Sequence, residues 1–120
     1  PQVVKSGVIS ASASQEIQAI MEYAYSKNYI AYGMKPPRDG YRIGTKTGTA
    51  QVPRPEGGYY DNKFNGTFVA YVGGDEVQYI VVVRVNEPGI AGYAGARAAA
   101  PIGGKMVNAL IDNFGVTPKK

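Results

Sequence analysis

A chain of 120 residues fits one small domain, and folding at that length hides roughly two-thirds of the surface exposed by the unfolded chain, enough for a single core. Apolar residues make up 44% and charged residues 18%, a globular balance that excludes disordered, collagen-like and coiled-coil chains. With no cysteine and no histidine, thiolate nucleophiles, imidazole bases, disulfides and histidine metal sites are excluded as well. No apolar run approaches the roughly 18 residues of a membrane span, and the first residues do not read as a secretory leader. Thirteen Lys and Arg against nine Asp and Glu give a net charge of +4, which favours anionic partners such as a cell wall, a lipid surface or nucleic acid. The cations are dispersed apart from Lys119 and Lys120, and that argues against nucleic acid.

The chain opens on Pro1, with no methionine before Met21, so it is expected to start inside a longer product. Val3, Val4, Val8 and Ile9 suggest an entering loop or edge strand. Ser12 with Gln15 makes a capping box ahead of Ile17, Ile20, Met21, Ala24 and Tyr25, one helical face ending near Asn28. Gly33 to Gly40, with Pro36-Pro37, reads as loop. From Tyr41 to Val52 the period becomes two: Tyr41, Ile43, Thr45, Thr47 and Thr49 share one side, Arg42, Gly44, Lys46, Gly48 and Ala50 the other. Pro53 to Lys63 reads as a loop expected to be mobile beside that strand. A second strand over Thr67 to Val72 turns at Gly73-Gly74-Asp75 into a third over Gln78 to Asn86. The valines at 81, 82, 83 and 85 predict burial on both faces and a central place in the sheet. A stretch of small residues then leads to Ala100 and Pro101, which starts a helix with Ile102, Met106, Val107, Leu110, Ile111 and Phe114 on its apolar side; Gly115 and Pro118 close it. The expected fold class is α+β, a three-stranded antiparallel sheet covered by two helices.

The run Ile43-Gly44-Thr45-Lys46-Thr47-Gly48-Thr49-Ala50-Gln51 concentrates the chemistry. A lysine ammonium, alternate hydroxyls and glycines that admit a bound backbone suit a strand edge that binds an extended, carboxylate-bearing substrate. A P-loop is excluded, because Gly44 and Lys46 are separated by Thr45 and no helix follows. Lys-Thr-Gly alone arises by chance in about 3% of chains this long, so the wider pattern decides. Ser26-Lys27-Asn28 fits Ser-x-Asn but reads as a helix end. Asp75-Glu76 reads as a solvated turn rather than paired acids, and no oxygen cluster suggests a metal.

Lys46 to Gln51, then Gly57-Gly58-Tyr59, Phe68-Val69, the valine run, Pro88 and Ala99-Ala100-Pro101 together resemble the C-terminal part of a penicillin-binding protein transpeptidase domain, most like the class B enzymes of cell-wall synthesis. The resemblance implies acyl transfer: a serine attacks a D-Ala-D-Ala peptide bond, D-alanine leaves, and an amine of a neighbouring stem peptide resolves the acyl-enzyme. Lys46 would assist proton traffic and positioning beside the nucleophile. Thr47 and Thr49 hydroxyls would bind the carboxylate of the stem peptide or of a β-lactam, the Thr49 N–H would serve the oxyanion hole, and Gly48 would leave room for the approach. Tyr59 is the aromatic expected to contact substrate. No cofactor and no metal are implied, and the implied location is the extracytoplasmic face of the membrane, with any anchor outside this segment.

One element of the family pattern is missing. The residues three places after Ser6, Ser10, Ser12, Ser14 and Ser26 are Ile9, Ala13, Gln15, Ile17 and Tyr29, so no Ser-x-x-Lys occurs and this chain alone is expected to be inactive. Its expected partners are the remainder of a parent chain and, for the isolated segment, a second copy. Two other readings stay open at this point: a stand-alone, non-catalytic module that binds cell-wall peptides or a protein through its sheet edge, and a basic nucleic-acid-binding domain.

Overall fold

A computed structural model describes residues 2–89 and 93–120 of the chain. Helix α1 spans Ala11–Asn28, followed by strands β1 (Arg42–Pro53), β2 (Tyr59–Gly73) and β3 (Val77–Asn86), a single π-helical turn (Gly95–Ala99) and helix α2 (Ala100–Asn113). The sheet is antiparallel in the order β1-β2-β3, with α1 against one face and α2 against the other. This is the expected α+β layer of three strands and two helices.

Several local expectations change. The segment before α1 is exposed and forms no strand over its described residues, and Pro1 lies outside them. Ser10 rather than Ser12 caps α1, its hydroxyl accepting from the Ala13 N–H at 3.1 Å, because the extended backbone of Ser10 aims its side chain at the first free N–H groups. Ser26 and Asn28 sit in the last turn and donate to the Tyr23 and Ala24 carbonyls, so Ser-x-Asn is a helix end here. The expected loop from Pro53 to Lys63 is largely strand: Pro53 pairs with Tyr59, and the turn is confined to residues 54–58, where Gly57 and Gly58 take positive φ. Beyond Asn65 toward Tyr59, β2 pairs with β1 alone, forming a two-stranded arm. Finally, β3 is an edge strand and not the central one. Val81 is buried under α2, whereas Ile80 and Val82 on the other face are 69% and 66% exposed. Among the described residues only one face of β3 is covered, although its sequence is apolar on both.

The core lies between the sheet and α2. Phe68, Ala70, Val72, Val81, Ala99, Ala100 and Val107 are buried together. Helix α2 approaches closely because Gly103 faces the Phe68 ring and Gly104 faces the Tyr32 carbonyl, where a Cβ would come within 2.1 and 2.3 Å of its neighbours. Tyr32 stacks edge-on against Phe68 with ring centroids 5.7 Å apart. The C-terminal segment closes one end: Gln78 exchanges two hydrogen bonds with the Thr117 backbone, and the Lys119 N–H donates to the Gly40 carbonyl. The apolar side expected for α2 is half right, since Val107 is buried while Ile102, Met106 and Phe114 remain exposed. On α1 only Tyr25 is fully buried. The small-residue stretch leading to Ala100 is described from Tyr93 onward; residues 90–92 lie outside the described part.

Candidate functional site

Strand β1 is an edge of the sheet, so alternate backbone N–H and C=O groups along it lack a partner strand. The run from Lys46 to Thr49 lies mid-strand, paired on its inner side with Val69, Phe68, Thr67 and Gly66. Period two puts Lys46 and Gly48 on the α1 face and Thr47 and Thr49 on the α2 face. A ligand lying along the free edge therefore meets an ammonium from one face and two hydroxyls from the other, a combination suited to a carboxylate on an extended backbone. Lys46 is exposed, with its Nζ donating to the Thr47 carbonyl. Gly48 leaves no bulk on its face; a Cβ there would lie 2.4 Å from Thr67 Oγ1.

Both faces hold this strand in place. On the α1 face, Glu22 accepts from Arg42 Nε at 2.8 Å and from the Tyr71 hydroxyl at 2.7 Å, while Arg42 Nη2 donates to Gln18 Oε1 at 2.8 Å. The Tyr71 ring lies across Gly44, where a Cβ would be 2.2 Å from the ring. Burial, and then the bond to Glu22, raise the Tyr71 pKa well above the usual phenol range, and the hydrogen bond to Glu22 chiefly raises that of Arg42. This network fixes α1 to β1 two to four residues before Lys46. On the α2 face, the π-helical turn crosses β1 and β2. Its first N–H, from Gly95, donates to Thr49 Oγ1 at 3.1 Å, and Gly66 lies against the Ala94 carbonyl.

Lys46, Thr47, Gly48 and Thr49 are thus brought together along one edge. Tyr59 is not beside them. It is 59% exposed at the start of β2 opposite Pro53, about 13 Å farther along β1 than Thr49 at the rise of an extended strand. Its neighbour Tyr60 is flanked by Arg54 and Lys63, 5.2 and 4.6 Å from the ring centroid. Sequence reasoning missed Gly66 and Gly95. Their signal was a glycine inside a strand pattern and a glycine within a run of small residues, both marks of close backbone approach. Among the described residues, no three His, Cys, Asp or Glu side chains gather as a metal-binding set.

Comparison with known proteins identifies the family and the fold. The family model described as the penicillin binding protein transpeptidase domain matches residues 1–108. A probable peptidoglycan D,D-transpeptidase PenA of Neisseria flavescens is 32% identical over 113 residues, covering 94% of this chain and 28% of that protein. Among solved structures, the transpeptidase domain of Burkholderia pseudomallei penicillin-binding protein 3 superposes with a TM-score of 0.67 at 26% identity, covering 92% of this chain and 33% of that one. Penicillin-binding protein 3 of Mycobacterium tuberculosis in complex with ampicillin has the same fold, with a TM-score of 0.72 at 22% identity over 99% of this chain and 28% of its own. The chain therefore spans about a third or less of these relatives. With the family model matching most of its length, the chain belongs to the penicillin-binding protein transpeptidase family.

Proposed function

We propose that this chain is the C-terminal part of a peptidoglycan D,D-transpeptidase domain and supplies the strand that holds the substrate's terminal carboxylate. The observation that carries the reading is the placement of Lys46, Thr47, Gly48 and Thr49 on a free sheet edge in a chain matched by the family model over residues 1–108. The complete enzyme would acylate a serine outside these residues with a D-Ala-D-Ala stem peptide, releasing D-alanine. An amine of a second stem peptide would then take the acyl group and free the serine. A β-lactam would acylate the same serine by opening its ring, and the complex of the mycobacterial relative with ampicillin supports that substrate class. Thr47 and Thr49 hydroxyls would donate to the carboxylate, the Thr49 N–H would face the oxyanion, and Lys46 would stabilise charge beside the nucleophile. Tyr59 would contact the part of the substrate lying farther along the arm. The site would face the peptidoglycan, outside the cytoplasm.

The remainder of the parent chain is the proposed cover for the exposed apolar surface of β3, α1 and α2, and in the isolated segment a second copy takes its place. In the full-length protein, Lys46→Ala is expected to slow acylation by a fluorescent penicillin about 10²-fold, the scale for losing one preorganised electrostatic contact. A rate within about twofold of the unaltered protein would remove Lys46 from the mechanism.

A further inference from the structure

We propose that the π-helical turn Gly95–Ala99 straps the Thr49 hydroxyl into a donor orientation toward the substrate carboxylate, making Gly95 a positioning residue for that group. The inference rests on the reading of β1 as the carboxylate-binding strand. A threonine hydroxyl carries one proton and two acceptor lone pairs. The Gly95 N–H donates to Thr49 Oγ1 at 3.1 Å, which occupies one lone pair and turns the proton to another direction. Among the described residues Thr49 Oγ1 donates to no protein group, so that proton is available to a ligand on the exposed side of the strand. A hydroxyl that already accepts a hydrogen bond is polarised into a better donor.

The crossing is determined from three sides. A Cβ on Gly95 would lie 2.3 Å from the Gly48 carbonyl oxygen, and one on Gly66 would lie 2.4 Å from the Ala94 carbonyl. These are backbone contacts, which do not yield as a flexible side chain would. The strap thus touches Gly48 and Thr49, two consecutive residues of the binding run, and no larger residue fits the crossing. Just before it, Tyr93 holds a left-handed φ of 48°, a conformation unfavourable for a non-glycine residue that persists where the surroundings impose it. Its carbonyl accepts from the Arg97 N–H at 2.8 Å, closing the turn. A π-helical turn is itself uncommon and tends to occur where backbone geometry serves a site.

The test uses the full-length protein and two lactams, a penicillin with its free carboxylate and the methyl ester of the same drug. Both depend on the oxyanion hole and the nucleophile, but only the first presents a carboxylate to Thr49. Gly66→Ala, on β2 opposite Thr49, pushes against the Ala94 carbonyl and displaces the strap. It is expected to slow acylation by the free acid about tenfold, the worth of one hydrogen bond to a charged group, with the ester rate, which reads any general disturbance of β1, changed less than about twofold. Adding Thr49→Val to Gly66→Ala should cost no more than Thr49→Val alone, because both remove the same hydroxyl contact. Equal slowing with both lactams, or additive losses, would overturn the proposal. Should the glycine variants fail to fold, hydrogen exchange at the Gly95 amide decides: faster exchange is expected in Thr49→Val than in Thr49→Ser, and equal rates would sink the strap. If the unaltered protein is acylated by neither lactam, the transpeptidase reading fails while the exchange result stands on its own.

Discussion

Thr45, Thr47 and Thr49 look alike in sequence, each alternating along one strand, yet their environments separate them. Thr45 is 1% exposed and its Oγ1 has no hydrogen-bond partner among the described residues. Thr47 is half-buried, and Thr49 is exposed and accepts from Gly95. Period-two alternation was enough to place all three on one face, but it does not report how far a covering helix reaches along that face. The π-helical turn and α2 cover the strand unevenly, leaving the Thr49 end open to solvent. A buried hydroxyl without a partner costs about 1–3 kcal/mol in desolvation, and valine has nearly the same shape. Thr45→Val is therefore expected to raise the stability of the protein by about 1 kcal/mol, read as a higher urea midpoint at unchanged slope. A lower midpoint would mean that the hydroxyl has an acceptor.

At the scale of elements, α1 and α2 were legible through apolar spacing and Pro101, although the cap of α1 is Ser10 and not Ser12 and α2 has no side-chain cap, whereas the standing of β3 was not. An unbroken valine run reports that both faces of a strand are suited to burial, not that both are covered in the same chain. The hairpin arm was hidden for another reason. Pro53, Pro55, Gly57 and Gly58 are turn formers, but Tyr59 and Phe64 pair back on β1 all the same, across a register shift between Gln51 and Pro53. Helix α1 is tied down by polar contacts more than by its apolar spacing, and two of them titrate. The Tyr25 hydroxyl donates to the Lys35 carbonyl at 2.6 Å, and burial pushes its pKa from 10.0 up to about 12. Tyr71 shifts in the same direction. A phenol held neutral by the fold contributes stability that is complete below its unfolded value, near 10, and is lost as pH rises through the folded value. The urea midpoint should consequently fall between about pH 10 and 12, and less steeply in Tyr25→Phe. A midpoint that is flat over that window would contradict the account of how α1 is anchored.

Over the whole molecule, the composition, the α+β layer and the Lys46 to Thr49 edge are legible in the amino-acid sequence, because motif chemistry and strand period are local properties. The strap over Thr49 is not, since it joins residues 46 positions apart through glycines that carry no side-chain signal. Incomplete cover of the apolar surface was also foreseeable: Ile17, Ile20, Ile102 and Met106 are exposed. Between β3 and α2 runs an open groove of about 470 Å³, lined by Tyr79, Ile80, Val82, Met106, Leu110 and Phe114. Uncovered strand edges and apolar patches of this kind pair with other chains. The isolated 120-residue chain is thus expected to sediment as a dimer at micromolar concentration, and a monodisperse monomer would contradict that.

On this reading the chain holds the carboxylate-binding edge of a transpeptidase whose nucleophile lies elsewhere in the protein. Intact-mass measurement after incubation with a penicillin tests it most directly, on the full-length protein and on the 120-residue chain side by side. The full-length protein is expected to gain the mass of one drug molecule, carried on a serine outside these residues, and the short chain to gain nothing. An adduct on the short chain, or none on the full-length protein, would contradict it.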